Sequence, residues 1–159
     1  MSFNFMSNKL KKYIKDNNVD CEHLEFKESC HSVQEAANAA NASPQDFIKS
    51  ICMISKDSQD NKPIIAIVKG EDRASTSRVS KALNIQRPDI ASPEQILEFT
   101  GYPCGGTPPF GYSAIFLIDE KVMEKEFIYG GGGSENSLVK ISPKELVRIN
   151  NGTIARIRK

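Results

Sequence analysis

The chain has 159 residues, 39% hydrophobic and 26% charged, with 21 basic against 20 acidic groups. That length reads as one domain, 1–159, able to bury a core without disulfide staples. A charge balance this close to neutral argues against a protein that coats nucleic acid indiscriminately, because such binding rests on many phosphate contacts.

No apolar run approaches the ~20 residues that a membrane span needs. The polar start MSFNFMSNKLKK lacks the apolar stretch of a signal peptide, so a cytoplasmic protein is expected, with no membrane partner. The four cysteines, Cys21, Cys30, Cys52 and Cys104, form no CxxC pair, and His23 and His31 are the only histidines. These residues lack the spacing of a zinc site, so free thiols, no metal and no cofactor are expected.

In chain order, Leu10, Tyr13 and Ile14 recur at helical spacing and predict a helix over 7–17 that ends near the polar Asp16-Asn17-Asn18. A short strand follows around His23 to Phe26. Ser32, with Glu35 three residues on, reads as a capping box ahead of Val33, Ala36, Ala37 and Ala40. The same start signal returns with proline at the first helical position in Ser43-Pro44-Gln45-Asp46, Ser92-Pro93-Glu94-Gln95 and Ser142-Pro143-Lys144-Glu145. The segments between them do not match, so these are separate helix starts and not a repeat.

SICMIS (50 to 55) and PIIAIV (63 to 68) flank the polar turn KDSQDN and read as a hairpin or as neighbouring strands. Further strands are predicted at Ala114 to Ile118, Phe127 to Tyr129, Leu138 to Ile141 and Thr153 to Ile157, and helices at 76–83, 93–99 and 143–149. The fold class is therefore α/β: one domain with a mixed, largely antiparallel sheet of about six strands covered by helices, since several connections are too short for crossovers.

Two places resist a purely structural reading. Lys49 interrupts the apolar run FIKSICMI (47 to 54) at a helix-to-strand junction. Its long stem can snorkel to the surface, or its ammonium can be the cation held at the rim of a pocket, facing an anionic group. The second place is TGYPCGGTPPFG (100 to 111), with four glycines and three prolines in twelve residues. Pro103, Pro108 and Pro109 stiffen it, while Gly105 and Gly106 let backbone approach a ligand. A stiff loop offering amides from Gly105, Gly106 and Thr107 suits the negative oxygen of a tetrahedral intermediate, where each donor contributes ~3 kcal/mol. The same residues also suit a tight turn.

These residues resemble the YbaK family of aminoacyl-tRNA deacylases, free-standing relatives of the editing insertion in bacterial prolyl-tRNA synthetase. The family's Gly-x-x-x-Pro falls on Gly105 to Pro109, preceded by Thr100-Gly101-Tyr102, and its active-site lysine falls on Lys49. The match continues through AIVKGEDRAS and VSKALN (66 to 84), LIDEKVM (117 to 123), IYGGGG (128 to 133) and ISPKEL (141 to 146), and so covers nearly the whole chain in order.

The resemblance implies hydrolysis of the ester that joins a wrong amino acid to the terminal adenosine of a tRNA. The expected chemistry is substrate-assisted: a free ribose hydroxyl helps to activate water or to attack, and Lys49 acts by charge on a phosphate or the ester carbonyl. Composition favours this, because no histidine or acid sits in a nucleophile motif and both histidines lie early in the chain. Gly101, Pro108, Pro109, Phe110, Gly130, Gly131 and Gly132 are expected to wall the substrate, the last three from a stretch that by composition is equally a flexible hairpin loop.

Two departures from the family bear on the substrate. The serine that some members carry ahead of the glycines is replaced within Gly130 to Gly132, and no histidine follows His31. Alanine or cysteine wrongly joined to proline tRNA is the expected substrate, because glycines and prolines leave room for a small side chain.

Arg73, Arg78 and Lys81 are expected to meet the acceptor-end backbone of tRNA in transient docking, and a weak association with a synthetase is compatible with that role. The alternatives are a non-catalytic module of the same fold that binds tRNA or a nucleotide, and a hydrolase using Cys104 as nucleophile. For Cys104, no histidine is placed by motif to lower the thiol's pKa.

Overall fold

The run Ile64 to Val68 is at most 1% exposed at every position, as expected of a strand covered on both faces. In the computed structural model, which describes residues 3–56 and 62–159 with side chains from Phe5, this run is the centre of the larger of two sheets. The turn read at KDSQDN lies, beyond Lys56, outside the described residues.

The helices are α1 (Phe3–Asp16), α2 (Val33–Ala40), α3 (Thr76–Leu83), α4 (Pro93–Thr100) and α5 (Pro143–Asn150). The strands are β1 (Cys21–Glu25), β2 (Ile48–Ile54), β3 (Ile64–Lys69), β4 (Asp89–Ile90), β5 (Ile115–Asp119), β6 (Ile128–Gly131), β7 (Ser137–Ile141) and β8 (Thr153–Ala155). The mixed α/β architecture is as expected, but the strands divide between two sheets. One has the order β1-β7-β6 and is antiparallel throughout. The other has the order β4-β2-β3-β5-β8, antiparallel at β4/β2 and β2/β3 and parallel at β3/β5 and β5/β8.

The sheets meet where Phe47 bridges to Tyr129, and these two rings stack at 4.9 Å. Alternation along β3 sends Ile65 and Ile67 into a core shared with Leu10, Tyr102 and Phe110, and Ile64, Ala66 and Val68 into one shared with Val79 and Ile157. Ala36 and Ala37 of α2 pack with Phe47 and Tyr129 over the junction of the sheets.

The caps act as local chemistry requires. Ser32, Ser75, Ser92 and Ser142 each accept a backbone N–H from the third residue on. The reciprocal bond of the capping box forms at Ser92, whose N–H donates to Gln95 at 2.9 Å. At Ser32 only the serine half is present. Ser43 starts a single 3-10 turn, Pro44–Asp46, because Ile48 is already paired in β2. Asn41, Asn84 and Asn151 close α2, α3 and α5 in the left-handed conformation, where a short polar side chain is tolerated.

Asp119, which anchors the last residues of the chain, is fully buried: its Oδ1 accepts the N–H groups of Ile157 (2.9 Å) and Arg158 (3.1 Å), and its Oδ2 accepts Lys121 N–H (3.1 Å) and the Arg158 guanidinium (3.0 Å). Burial pushes this carboxyl up, but the three amides and the guanidinium outweigh it and hold it below the ordinary aspartate range. Arg158, one of the basic residues near the C-terminus, is thus committed to structure. Among the described residues no helix is long and apolar enough to cross a membrane.

Candidate active site

The proline-rich loop follows α4 directly, and its fixation begins there. Gly101 closes α4 at φ 80°, and the Thr100 hydroxyl donates to Ile96 O at 2.6 Å and accepts the Tyr102 amide at 3.1 Å. Pro103 O receives two donors, Gly106 N–H at 3.0 Å and the Thr107 hydroxyl at 2.9 Å, which folds residues 103–107 into a closed turn. Beyond it, Pro108 O accepts from the Tyr112 hydroxyl at 2.6 Å and Pro109 O from the Asn150 amide at 3.1 Å. Tyr112 and Asn150 therefore hold the loop from outside it. Neither carries a sequence signal for that task.

The second glycine stretch is the loop's counterpart and not a free hairpin. Gly133 N–H donates to Gly106 O at 2.8 Å. A Cβ on Gly106 would lie 2.6 Å from the Ser134 carbonyl carbon, one on Gly131 would run into Thr107 O and Gly106 C, and one on Gly130 would press the Pro109 ring at 3.2 Å. Backbone packs on backbone here, which only glycine allows.

Between this double loop, β2 and the N-terminal end of α2 lies a cleft of about 390 Å³. Lys49, Gly105, Thr107, Gly130 and Gly131 line it together. The remaining wall is mostly apolar, with Val33 and Ala36 of α2, Ile48 and Ile51 of β2, and Ile90 and Ile96 around α4.

Lys49 is the second residue of β2, just after the 3-10 turn Pro44–Asp46, and is half-buried. Burial pushes its ammonium below the usual lysine range, Arg73 adds to this, and Asp72 opposes it. It has no ion-pair or hydrogen-bond partner among the described residues.

The expected loop donors divide. Gly106 is buried and its N–H is committed to Pro103 O, so it has none to offer a ligand. The N–H groups of Gly105 and Thr107 donate to no described residue.

Other expected site residues fall outside the cleft. Phe110 is fully buried in the core, its ring 6.0 Å from that of Tyr13, and Gly101 and Gly132 serve the α4 cap and the turn between β6 and β7. Pro108 and Pro109 are buried behind the lining. Of the basic residues, Arg73 acts on Lys49, whereas neither Arg78 nor Lys81 lines the cleft.

One residue that the sequence gave no reason to choose does line it. His31 lies against Gly105 so closely that a Cβ there would enter its ring, and its Nδ1 is 3.7 Å from Glu135. His31 thus reaches the site from early in the chain, with no nucleophile motif around it to mark it.

The family described as "Aminoacyl-tRNA editing domain" has a sequence model that matches residues 27–149. A proline–tRNA ligase of Oleidesulfovibrio alaskensis is 26% identical over 122 residues, 76% of this chain and 21% of that protein. The chain thus spans about a fifth of that ligase's length. The uncharacterized protein YwhH of Bacillus subtilis is 28% identical over 124 residues, 77% of this chain and 76% of that one.

Among solved structures, a proposed trans-editing enzyme for prolyl tRNA synthetase superposes with a TM-score of 0.86 at 21% identity, covering 97% of both chains. A hypothetical protein, APE2540, superposes at 0.85 with 24% identity, covering 95% of this chain and 99% of that one. At these identities the two structures bear on the fold alone.

Proposed function

The chain belongs to the aminoacyl-tRNA editing domain family, and on that premise we propose that it hydrolyses the ester of a mischarged tRNA in trans. The observation that carries this reading is the pairing, in one largely apolar cleft, of a lysine with two backbone donors, Gly105 and Thr107, none of the three partnered among the described residues.

As the ester carbonyl is attacked, negative charge gathers on its oxygen, and amides already fixed in direction stabilise it without reorganising. The closed turn on Pro103 O and the outside ties from Tyr112 and Asn150 supply that fixation. Lys49 supplies a point charge to the terminal phosphate or to the carbonyl. The free ribose hydroxyl of the terminal adenosine orients the attacking water. The apolar part of the cleft takes a small amino-acid side chain, and alanine or cysteine on proline tRNA is the proposed substrate. Arg73 extends the positive rim toward the acceptor-end backbone.

The test is a deacylation assay with tRNA carrying labelled alanine, cysteine, serine or proline, comparing wild type with Lys49→Ala and Cys104→Ser. Wild type should release alanine or cysteine well above the blank. Lys49→Ala should be slower by ~10²-fold or more, the scale for removing one preorganised charge-stabilising group, and Cys104→Ser should keep most of the rate. Binding of tRNA with no ester cleaved faster than the blank would assign the chain to a non-catalytic binding module. Loss of cleavage in Cys104→Ser alone would assign the chemistry to the thiol.

A further inference from the structure

The geometry points to His31 as a proton-transfer residue of this cleft, with Glu135 as the carboxylate whose charge faces it; the inference rests on the deacylase reading above. His31 is reached by a network that begins two segments away. Phe26 N–H donates to Asn136 O and the Asn136 amide returns to Phe26 O, both at 2.8 Å, while Cys30 N–H donates to Glu135 O at 2.5 Å. The stretch before α2 is thereby laced to the 134–136 turn. That turn also supports the proline-rich loop, because Gly106 sits against the backbone of Ser134 and Gly133 bonds to Gly106. One turn thus positions both the backbone that leads into His31 and the proline-rich loop.

The imidazole packs on Gly105, whose φ of 86° turns the loop at this point and whose N–H is unpartnered among the described residues. An ester oxygen held by that N–H would sit beside the residue that the imidazole already touches. His31 Nδ1 faces Glu135 Oε1 at 3.7 Å, and Nε2 has no partner among the described residues. At 3.7 Å the carboxylate lies beyond hydrogen-bond distance and acts on the ring through space, by its charge, while the other nitrogen is left to meet the substrate. The side chain is 55% exposed, so a substrate can reach it.

In the reaction, water adds to the ester carbonyl carbon while Nε2 takes its proton. Collapse then breaks the bond between that carbon and the ribose oxygen, and the leaving oxygen takes the proton back from Nε2. The amino acid and the free ribose hydroxyl are the products, and the imidazole ends as it began. The charged and titratable groups around His31 are Glu135 from the turn, Glu28 and Glu35 of its own stretch, which act on Cys30, Cys104 on the facing loop, and Lys49 on β2 across the cleft.

The experiment is the pH profile of the single-turnover rate on labelled alanyl-tRNA of the proline type, for wild type, His31→Gln, His31→Phe, Glu135→Gln and Lys49→Ala, with the folding of each variant checked by circular dichroism. Wild type should lose rate on the acid side, where a protonated imidazole can no longer accept. His31→Gln and His31→Phe should be slower by ~10²-fold, the lower end for a positioned acid–base group, and should flatten that limb. Glu135→Gln should show a smaller loss with the limb displaced. A wild-type rate and profile in His31→Gln, with Lys49→Ala inactive, overturns the role of His31 and leaves the deacylase reading standing. So does a slower His31→Gln whose limb is intact while His31→Phe restores the rate, since packing alone would then explain it. If wild type cleaves no ester, the deacylase reading fails and the role of His31 fails with it.

Discussion

Gly106→Ala places one methyl group where the two glycine stretches meet. Gly106 is not among the residues at positive φ, so alanine meets no backbone penalty of its own and the effect is steric. The new Cβ would lie 2.6 Å from Ser134 C, 2.7 Å from Ser134 O and 2.9 Å from Ser134 Cα. All three are backbone atoms, held by the Ser134 N–H bond to the Ser137 hydroxyl at 3.1 Å and by Gly133 N–H to Gly106 O at 2.8 Å. No rotamer change can relieve the overlap, so the loops must separate.

Overpacking of this kind costs about 1–3 kcal/mol. At about 2–4 °C per kcal/mol for a chain of this size, a cost of ~2 kcal/mol lowers Tm by about 4–8 °C. The effect on rate should be larger. A shift of ~1 Å in the Gly105 and Thr107 amides takes them off the ester oxygen, and such misplacement costs ~10²-fold.

The assays are thermal unfolding by circular dichroism and single-turnover deacylation under the same buffer conditions. Ser142→Ala is the matched control. It removes the α5 cap bond to Glu145 N–H at 3.1 Å, costs about 1 kcal/mol, and should leave the rate unchanged. A Gly106→Ala protein with an unchanged Tm would refute the packing argument. One with lowered Tm but a wild-type rate would refute the assignment of the loop amides to catalysis.

Asp119→Ala should lower stability by about 3 kcal/mol in urea titrations, because it leaves the Ile157, Lys121 and Arg158 amides without their acceptor and the Arg158 guanidinium with Glu120 alone among the described residues, at 3.4 Å. The wild-type carboxyl is held below its ordinary range, so its contribution is complete above that range and is lost as the pH falls through it toward the folded value; Asp119→Ala should remove this acid-side loss. Tyr102→Phe should leave Tm unchanged or raise it by the equivalent of about 1 kcal/mol. The Tyr102 hydroxyl is buried with no partner among the described residues, and burial pushes it up to about 12. A large loss of stability on removing it would show that the hydroxyl is bonded in solution.

Much of the scaffold was legible from short stretches. The serine caps at Ser32, Ser92 and Ser142, the apolar run of β3 and the stiffness of residues 100–111 each depend on neighbours within about one helical turn, and their physics is local. β2 begins two residues before the predicted SICMIS, because Lys49, which breaks the apolar run, is a paired strand position that faces the cleft. The first Ser-Pro start, at Ser43, is a single 3-10 turn for the related reason that β2 follows it at once.

By itself the sequence determined which residues could make a rigid, donor-bearing loop: prolines limit φ, glycines admit close backbone, and both properties belong to the residue wherever it lies. Only the tertiary structure decided which donors are free. The Gly106 amide is taken by Pro103 O, a bond set by how the turn closes, and Phe110 is drawn into the core because its ring finds Tyr13 there. Only the tertiary structure, too, brings His31 and Glu135 together across some hundred residues of chain and sets them against Gly105. No spacing rule reaches that far, since the contact is made by β1 pairing with β7 and carrying the stretch before α2 to the turn beside the loop.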